Sequence, residues 1–494
     1  MKKLFFAIAV FTALHGFAQN DAAVRYANTI TPASLKAKLS VIASAEMEGR
    51  ETATPGQKRA AAYIENHFKS LGLLPGTSSG YQMPYAVYVD TLMDASFTIN
   101  GKKFTLGQDY SFEITSIPTG NWVINSVLYA GTGIESDTIN NYKGLNVKNQ
   151  WVLIDEGTTT ETTPFRRLAA MRSKVALARL KGAKGVILIT NDFPKKNFVL
   201  KGNMYLKKTV NSVPTLSISY QAASSFFTGP IDSSADLSAI KPSVLNTKAS
   251  LSVYKRAMML ESSNVIGVMP GTDKKDEYVV LTSHYDHLGK RGNEIYYGAD
   301  DDGSGTTAVL QVAEAFAQAK AEGHSPRRTI VFMTVSGEEK GLLGSEFYSE
   351  NPLFPLNKTS VNLNTDMVGR IDPNRKEGDS TNYVYVIGED KLSSELIKIT
   401  DSVNNQYSRL EIDRRFNAND PNRYYYRSDH YNFAKKGVPI MFYFNGTHAD
   451  YHRSTDTVDK INFDLMAKRV KLVFYTARLI ANRNNMLKRD IPLR

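Results

Sequence analysis

The 494-residue chain contains no cysteine. That absence excludes disulfides, thiolate metal ligands and a lipid-bearing N-terminal cysteine, so any bound metal must rely on histidine and carboxylate. A core of this size needs no covalent staples. Long apolar runs are also scarce: beyond the N terminus, no stretch approaches the ~20 apolar residues that a membrane span requires. The formal net charge is +11, yet the basic residues are dispersed and no Lys/Arg run interleaved with aromatics could track a nucleic-acid groove. The charge is read as solubility and cell-envelope association, and nucleic acid is not an expected partner. No internal repeat is present.

The chain begins MKKLFFAIAVFTALHGFAQ. Lys2 and Lys3 precede an apolar run, and small residues Gly16 and Ala18 precede a cut, the pattern of a secretory signal over residues 1–18 with the mature chain starting near Gln19. The run is short for a stable anchor. Export without disulfides fits a bacterial periplasm better than a eukaryotic extracellular space. The expectation is a soluble protein, periplasmic or extracellular.

Texture divides the chain. In TPASLKAKLSVIASAEMEGRETATPGQKRAAAYIENHFKSLGLLPG two helical pieces are separated at the Pro55-Gly56 turn; in the second, Ala60, Ala61, Ile64, Phe68 and Leu71 recur at helical spacing until Gly72. From about Tyr110 to Asn246 short β-type runs take over (NWVINSVLYAG, NQWVLIDEG, KGVILIT), with one helical segment, MRSKVALARLKGAKG. This reads as an inserted module, 110–246, between an N-terminal part, 19–109, and a main domain, 247–494. From Val253 onwards apolar strands alternate with amphipathic helices, the last a long one from Phe463 to Asn482. The alternation predicts an α/β fold: a doubly wound, mostly parallel sheet flanked by helices.

The main domain carries a spaced set of metal-type residues: His284 in SHYDHLG, Asp301 in GADDDGSG, Glu338 and Glu339 in VSGEEKG, Asp366 in NTDMVGR and His452 in DYHRSTDT. Each alone has a bland reading as a loop histidine, a helix-start charge or a solvated turn. Together they fall at or beyond strand C-terminal ends, where such folds place their ligand crevice. Imidazole and carboxylate suit zinc, and two-metal hydrolases hold their ions ~3.5–4 Å apart across a bridging group. An Asp of the 300–302 run is the natural bridge, with His284 and Asp366 on one ion and Glu339 and His452 on the other. Glu338 adjoins a ligand without needing to coordinate and is the candidate general base. Asp286 is placed to accept a hydrogen bond from the imidazole of His284.

In this order, HYDH, GADDDGSG, SGEEKGLLGS, NTDMVGR, RSDHYNF and GTHADYHRSTDT resemble the M28 family of co-catalytic zinc peptidases, over about Leu39 to Leu74 and Val253 to Leu479. The inserted module resembles a protease-associated (PA) domain in position, length and texture. The resemblance implies two zinc ions per chain on His284, Asp301, Glu339, Asp366 and His452, with Glu338 as base and Asp286 orienting its histidine. The pattern G-A-x-D-x-x-S-G selects Asp301 over Asp300. In some relatives a tyrosine three residues ahead of SDH stabilises the oxyanion; among Tyr424, Tyr425 and Tyr426 that spacing favours Tyr425. His287, His430 and His448 lie near the motifs without an assigned role.

The expected function is an exported zinc-dependent exopeptidase acting on peptides, foremost an aminopeptidase. The alternatives are a glutamate-type carboxypeptidase on the same metal core, a glutaminyl cyclase, and an inactive binding protein recruiting partners through the PA module. A GxSxG string at Gly76–Gly80 has the form of a serine-hydrolase elbow, but it follows a helix and a loop instead of a strand and reads as a turn. The insert is expected to act as a lid or substrate guide.

Overall fold

A computed structural model describes residues 22–157, 164–196, 198–207 and 213–493. The export signal expected over 1–18 lies outside the described residues. The described residues fall into two compact units, 22–86 with 261–493, and those within 87–260. The inserted unit is wider than the 110–246 expected from texture. Its extra residues supply core: Leu92, Phe97, Ile99 and Phe104 on one side and Ala249, Leu251 and Val253 on the other pack in one cluster with Trp151 and Ile187. The boundaries fall inside two long strands, Gln82–Ile99 and Ser243–Met269, whose mixed polar and apolar texture hides them in the sequence.

The larger unit is built on a mixed, mostly parallel sheet. Strand Lys274–His284 lies at its centre, parallel to Arg328–Val335 on one side and to Thr359–Thr365 on the other. Thr359–Thr365 runs parallel to Ile440–Phe444, which pairs antiparallel with Tyr383–Ile387. Residues 265–269 close the other edge, antiparallel to Arg328–Val335. The central strands are buried over residues 279–284, 328–335 and 359–365; their polar members satisfy one another, Thr282 donating to Asn364 Oδ1 at 2.7 Å and accepting from Asn362 Nδ2 at 2.9 Å. On one face pack helices Pro32–Ile42, Pro55–Ser70, Gly305–Ala321 and Phe463–Asn482, joined through Leu39, Ile64, Phe316, Phe332, Val470 and Phe474. The two N-terminal helices start on Thr31 and Thr54, whose side chains accept the orphan N–H groups of Ser34 and Gln57, each followed by a proline at the first turn. The other face carries the shorter helices Leu343–Glu350 and His430–Ala434 against Tyr348, Phe433, Phe442 and Met333.

Register fixes the functional edge. His284 pairs with Val335 at the end of the shared ladder, so Gly337 to Glu339 follow at the same level. Asp366 comes directly after strand Thr359–Thr365. The second unit has its own sheet, in which Gly120–Tyr129, Trp151–Asp155, Gly185–Ile189 and Thr215–Ile218 run parallel. Within it Lys255 is buried with its ammonium 2.6 Å from the Asp90 carboxylate, which also accepts the Tyr205 hydroxyl at 2.9 Å. Gly76–Gly80 closes on itself through Thr77 N–H to the Gly80 carbonyl at 3.0 Å, a turn and not an elbow. Among the described residues no helix is long and apolar enough to cross a membrane.

Candidate metal centre

Three consecutive aspartates reach the sheet edge from the segment between strand Lys274–His284 and helix Gly305–Ala321, and their environments separate their roles. Asp300 accepts from Gly369 N–H at 2.7 Å, Ser304 Oγ at 3.0 Å and Asn445 Nδ2 at 3.0 Å, and its other face meets His448 Nε2 at 3.2 Å. Asp302 ties three segments together: its oxygens accept from the backbone N–H of His284 (3.1 Å), Gly305 (2.8 Å) and Met367 (3.0 Å). Both are spent on holding the loop. Asp301 differs: its N–H is held by Asp456 Oδ2 at 3.1 Å, while its carboxylate points into the site. Oδ1 lies 3.3 Å from His284 Nε2 and Oδ2 lies 3.1 Å from His452 Nε2. Gly298, at φ +54°, permits this fold-back, since a Cβ there would sit 2.2 Å from the Asp301 carbonyl.

The other donors arrange on either side of Asp301. Asp366 Oδ1 is 3.7 Å from His284 Nε2. Its second oxygen accepts the Ser428 hydroxyl at 2.6 Å, and Ser428 in turn accepts from Asn364 Nδ2 at 2.9 Å. That gives the RSDH segment a role that its sequence alone does not reveal. Glu339 Oε2 lies 3.2 Å from His452 Nε2. The structure also brings in His287: its Nδ1 is 2.8 Å from Glu339 Oε1 and 3.9 Å from Asp301 Oδ2. Two groups of ligand atoms thus share Asp301, one with His284 and Asp366, one with His287 and Glu339, the atoms of each group within 4.8 Å of one another. His452 faces the second group. The only sequence signal for His287 is its position three residues beyond His284, which admits many explanations.

The donor chemistry fits a bound cation. Asp301 Oδ2, Glu339 Oε1 and both His287 nitrogens are buried with no hydrogen-bond partner among the described residues. Carboxylate and imidazole atoms that converge this closely with hydrogen-bond capacity left unfilled are costly to bury unless a positive centre joins them. Nitrogen and oxygen ligands without sulfur are compatible with zinc. In the metal-free protein, burial and Asp301 push Glu339 up, but His287 and His452 outweigh them and hold it at about 2. Burial, then Glu339, Asp366 and Asp429, carry Glu338 well above the usual carboxylate range against the pull of His284.

Two expectations are corrected. The Asp286 carboxylate does not take the His284 ring hydrogen: it stands 3.8 Å from Nδ1, while the Asp286 backbone carbonyl lies at 3.1 Å. The carboxylate is occupied elsewhere, accepting the Thr52 hydroxyl at 2.7 Å and the Glu338 N–H at 3.2 Å. Asp286 therefore positions the Glu338 backbone, and its carbonyl leaves Nε2 of His284 free to face the carboxylates. Tyr425 does not face the site. Its ring is 4% exposed, packed near His430 and Tyr431 and beneath the Lys391 ammonium. Residues Tyr424–Tyr426 form one 3-10 turn, in which successive side chains fan out around the axis, so one of the three can face a given wall. Tyr424 is that one: with Arg427, Phe444 and Tyr451 it walls the recess whose floor is Asp301, Glu338 and Asp366. His430 and His448 are packing groups, one stacked on Phe442 with its Nε2–H donated to the Tyr425 carbonyl at 2.8 Å, the other against Asp300.

Around this geometry stands one further buried cation. Arg50, in the segment before the second N-terminal helix, donates to the carbonyls of Tyr285 (2.7 Å), Ile42 (2.8 Å), Tyr297 (2.8 Å) and Gly298 (2.9 Å). It thereby clamps the segments that deliver His284 and Asp301.

Comparison with known proteins agrees with this architecture. Residues 264–477 match the model of peptidase family M28, and residues 119–226 match the PA domain. A "Probable leucine aminopeptidase" of Trichophyton verrucosum (strain HKI 0517) is 27% identical over 228 residues, 45% of this chain and 56% of that protein. A "Probable glutamate carboxypeptidase" of Arabidopsis thaliana is 34% identical over 126 residues, 25% of this chain and 17% of that protein. The chain thus spans less than two thirds of these curated relatives. Among solved structures, the aminopeptidase from Aneurinibacillus sp. strain AM-1 aligns with a TM-score of 0.57 at 20% identity, covering 96% of this chain and 98% of that one. The zinc aminopeptidase of Bacillus subtilis gives 0.51 at 20% identity, covering 94% and 99%. At that identity the likeness concerns the fold.

Proposed function

From the premise that this chain is a peptidase family M28 protein with an inserted PA domain, we propose that it is an exported zinc-dependent exopeptidase, an aminopeptidase that releases N-terminal residues from peptides. The observation that carries the reading is the Asp301 carboxylate, one oxygen toward His284 at 3.3 Å and the other toward His452 at 3.1 Å. A carboxylate so placed could be shared by two groups of metal donors. His284 and Asp366 would hold one zinc, Glu339 and His452 the other, with Asp301 between them. When bound, zinc acidifies a water toward a pKa of ~7 and polarises the scissile carbonyl.

The chain's own groups supply the proton traffic. Glu338 lies on the recess floor, 3.9 Å from His284 Nε2. Its raised proton affinity suits a base that accepts a proton from water and returns it to the leaving amine. Asp286 holds the Glu338 backbone N–H and so sets where that carboxylate stands. The substrate's free amino group would meet the acidic floor. Tyr424, which lines the recess where Tyr425 does not, would be the tyrosine to donate toward the developing oxyanion.

The test is turnover by zinc-loaded mature protein of a free peptide, its N-acetylated twin and its C-amidated twin, with products read by mass. Loss of cleavage on N-acetylation alone is the expected result. Loss on C-amidation alone would move the assignment to a carboxypeptidase, and no zinc-dependent cleavage of any of the three would sink the exopeptidase reading.

A further inference from the structure

The recess has a floor of three carboxylates and one cationic wall residue, Arg427. Among the described residues no carboxylate lies within ion-pair distance of its guanidinium; burial opposes its charge, and Tyr451, Tyr424 and then Glu338 favour it. Its orientation is nonetheless constrained. One Nη donates to the Tyr451 hydroxyl at 3.2 Å, and the guanidinium carbon stands 5.2 Å from the centre of the Tyr424 ring. Its backbone N–H bonds the Tyr424 carbonyl at 3.0 Å, and the next residue, Ser428, holds Asp366. A guanidinium has five donors in a planar fork; one is engaged here, and the remainder are free at the mouth of the recess.

Arg427 is exposed, and the contacts with Tyr451 and Tyr424 hold its guanidinium against the acidic recess. A planar fork held in place and left without an acid is matched by a carboxylate, which it binds through two parallel N–H···O bonds. In a peptide whose scissile carbonyl sits over the floor, consecutive Cα atoms are about 3.8 Å apart. A carboxylate on the wall therefore belongs to the residue directly after the scissile bond. Longer peptides carry an amide at that point, which is uncharged and presents one oxygen.

We propose that Arg427 reads a free carboxylate on the residue following the scissile bond, making dipeptides the favoured substrate class. The proposal rests on the exopeptidase reading and narrows it.

The experiment uses the zinc-loaded protein and Leu-Ala, Leu-Ala-amide, N-acetyl-Leu-Ala and leucine p-nitroanilide, with kcat and KM measured separately. The expected result is a preference of roughly tenfold or more for Leu-Ala over Leu-Ala-amide, carried mainly by KM. Arg427→Gln should abolish that preference, raising KM for the free acid to the level of the amide, and Arg427→Lys should restore it in part. Equal turnover of free acid and amide by the unaltered protein overturns the proposal without any variant. So does a variant that loses kcat on both substrates alike, which would make Arg427 an oxyanion or folding residue. Cleavage of N-acetyl-Leu-Ala with the same dependence on Arg427 retains the carboxylate role but overturns the N-terminal polarity and, with it, the preference for dipeptides. No turnover of any of the four overturns the exopeptidase reading together with the proposal.

Discussion

Ser428→Ala removes one hydroxyl and tests whether the placement of Asp366 matters to the metal site. The Ser428 hydroxyl donates to Asp366 Oδ2 at 2.6 Å and accepts from Asn364 Nδ2 at 2.9 Å, all three residues being buried. A hydrogen bond to a charged acceptor contributes about 1.5–3 kcal/mol. If that bond is what holds Asp366 facing His284, its loss becomes a cost of re-orienting the carboxylate when a cation binds. At ~1.4 kcal/mol per tenfold, the upper bound is a fall of roughly 10- to 150-fold in affinity for the ion between His284 and Asp366, in line with the effect of outer hydrogen bonds at metal sites. The ion on the Glu339 side should be little affected, because Ser428 touches none of its donors. Zinc competition titration of metal-stripped protein against a chromophoric chelator would resolve one weakened and one unchanged site. Urea unfolding of the same metal-free variant separates a folding defect from a binding one. Two unchanged affinities in a folded variant would refute the idea that Ser428 pre-orients Asp366.

Glu338→Gln is expected to retain zinc while kcat falls by about 10²–10⁴; metal content by mass spectrometry and steady-state kinetics check both parts, and full activity would remove Glu338 as base. In the metal-free protein burial pulls His452 down, but Asp301 and Glu339 outweigh it and raise it to about 10. His452 is then protonated at pH 7 and must lose its proton to coordinate, so zinc uptake should release at least one proton and zinc affinity should rise with pH up to about 10; titration in weak buffer with a pH indicator would detect the release, and its absence would place His452 outside the ligand set. Arg50→Ala strands three buried carbonyls and a half-buried one and should cost roughly 3–5 kcal/mol of stability, measured by urea unfolding of the metal-free protein; a loss below 1 kcal/mol would show that the clamp is dispensable. Excision of residues 87–260 should give more soluble product than excision of 110–246, because the shorter cut leaves Leu92, Phe97, Ile99, Leu251 and Val253 without the core they pack in; sedimentation of the two proteins compares them.

Much of the larger unit is legible in the sequence. Helix Phe463–Asn482 matches its predicted span end to end, and within strand Lys274–His284 the stretch from Tyr278 to Leu281 stands out as an apolar run, because the part of a strand buried on both faces has little freedom in composition. The long strands Gln82–Ile99 and Ser243–Met269 are not legible in the same way: each changes burial pattern along its length, so no single period describes it. The metal donors announce themselves through their residue types and their positions at strand ends. His287 does not, because a histidine beside a motif is indistinguishable in sequence from one that merely packs.

What the sequence by itself determined is the inventory: nitrogen and oxygen donors without sulfur, an order of motifs, and strand ends that bring those motifs to one edge. These are local properties, written in residue identity and short-range period. The tertiary structure alone decided direction. It turned Asp301 into the site while Asp300 and Asp302 hold backbone, gave the Asp286 carboxylate to Thr52, 234 residues away, and turned Tyr424 instead of Tyr425 toward the recess. A side chain's direction follows from the partners that claim its neighbours, and those partners meet only once the chain has folded.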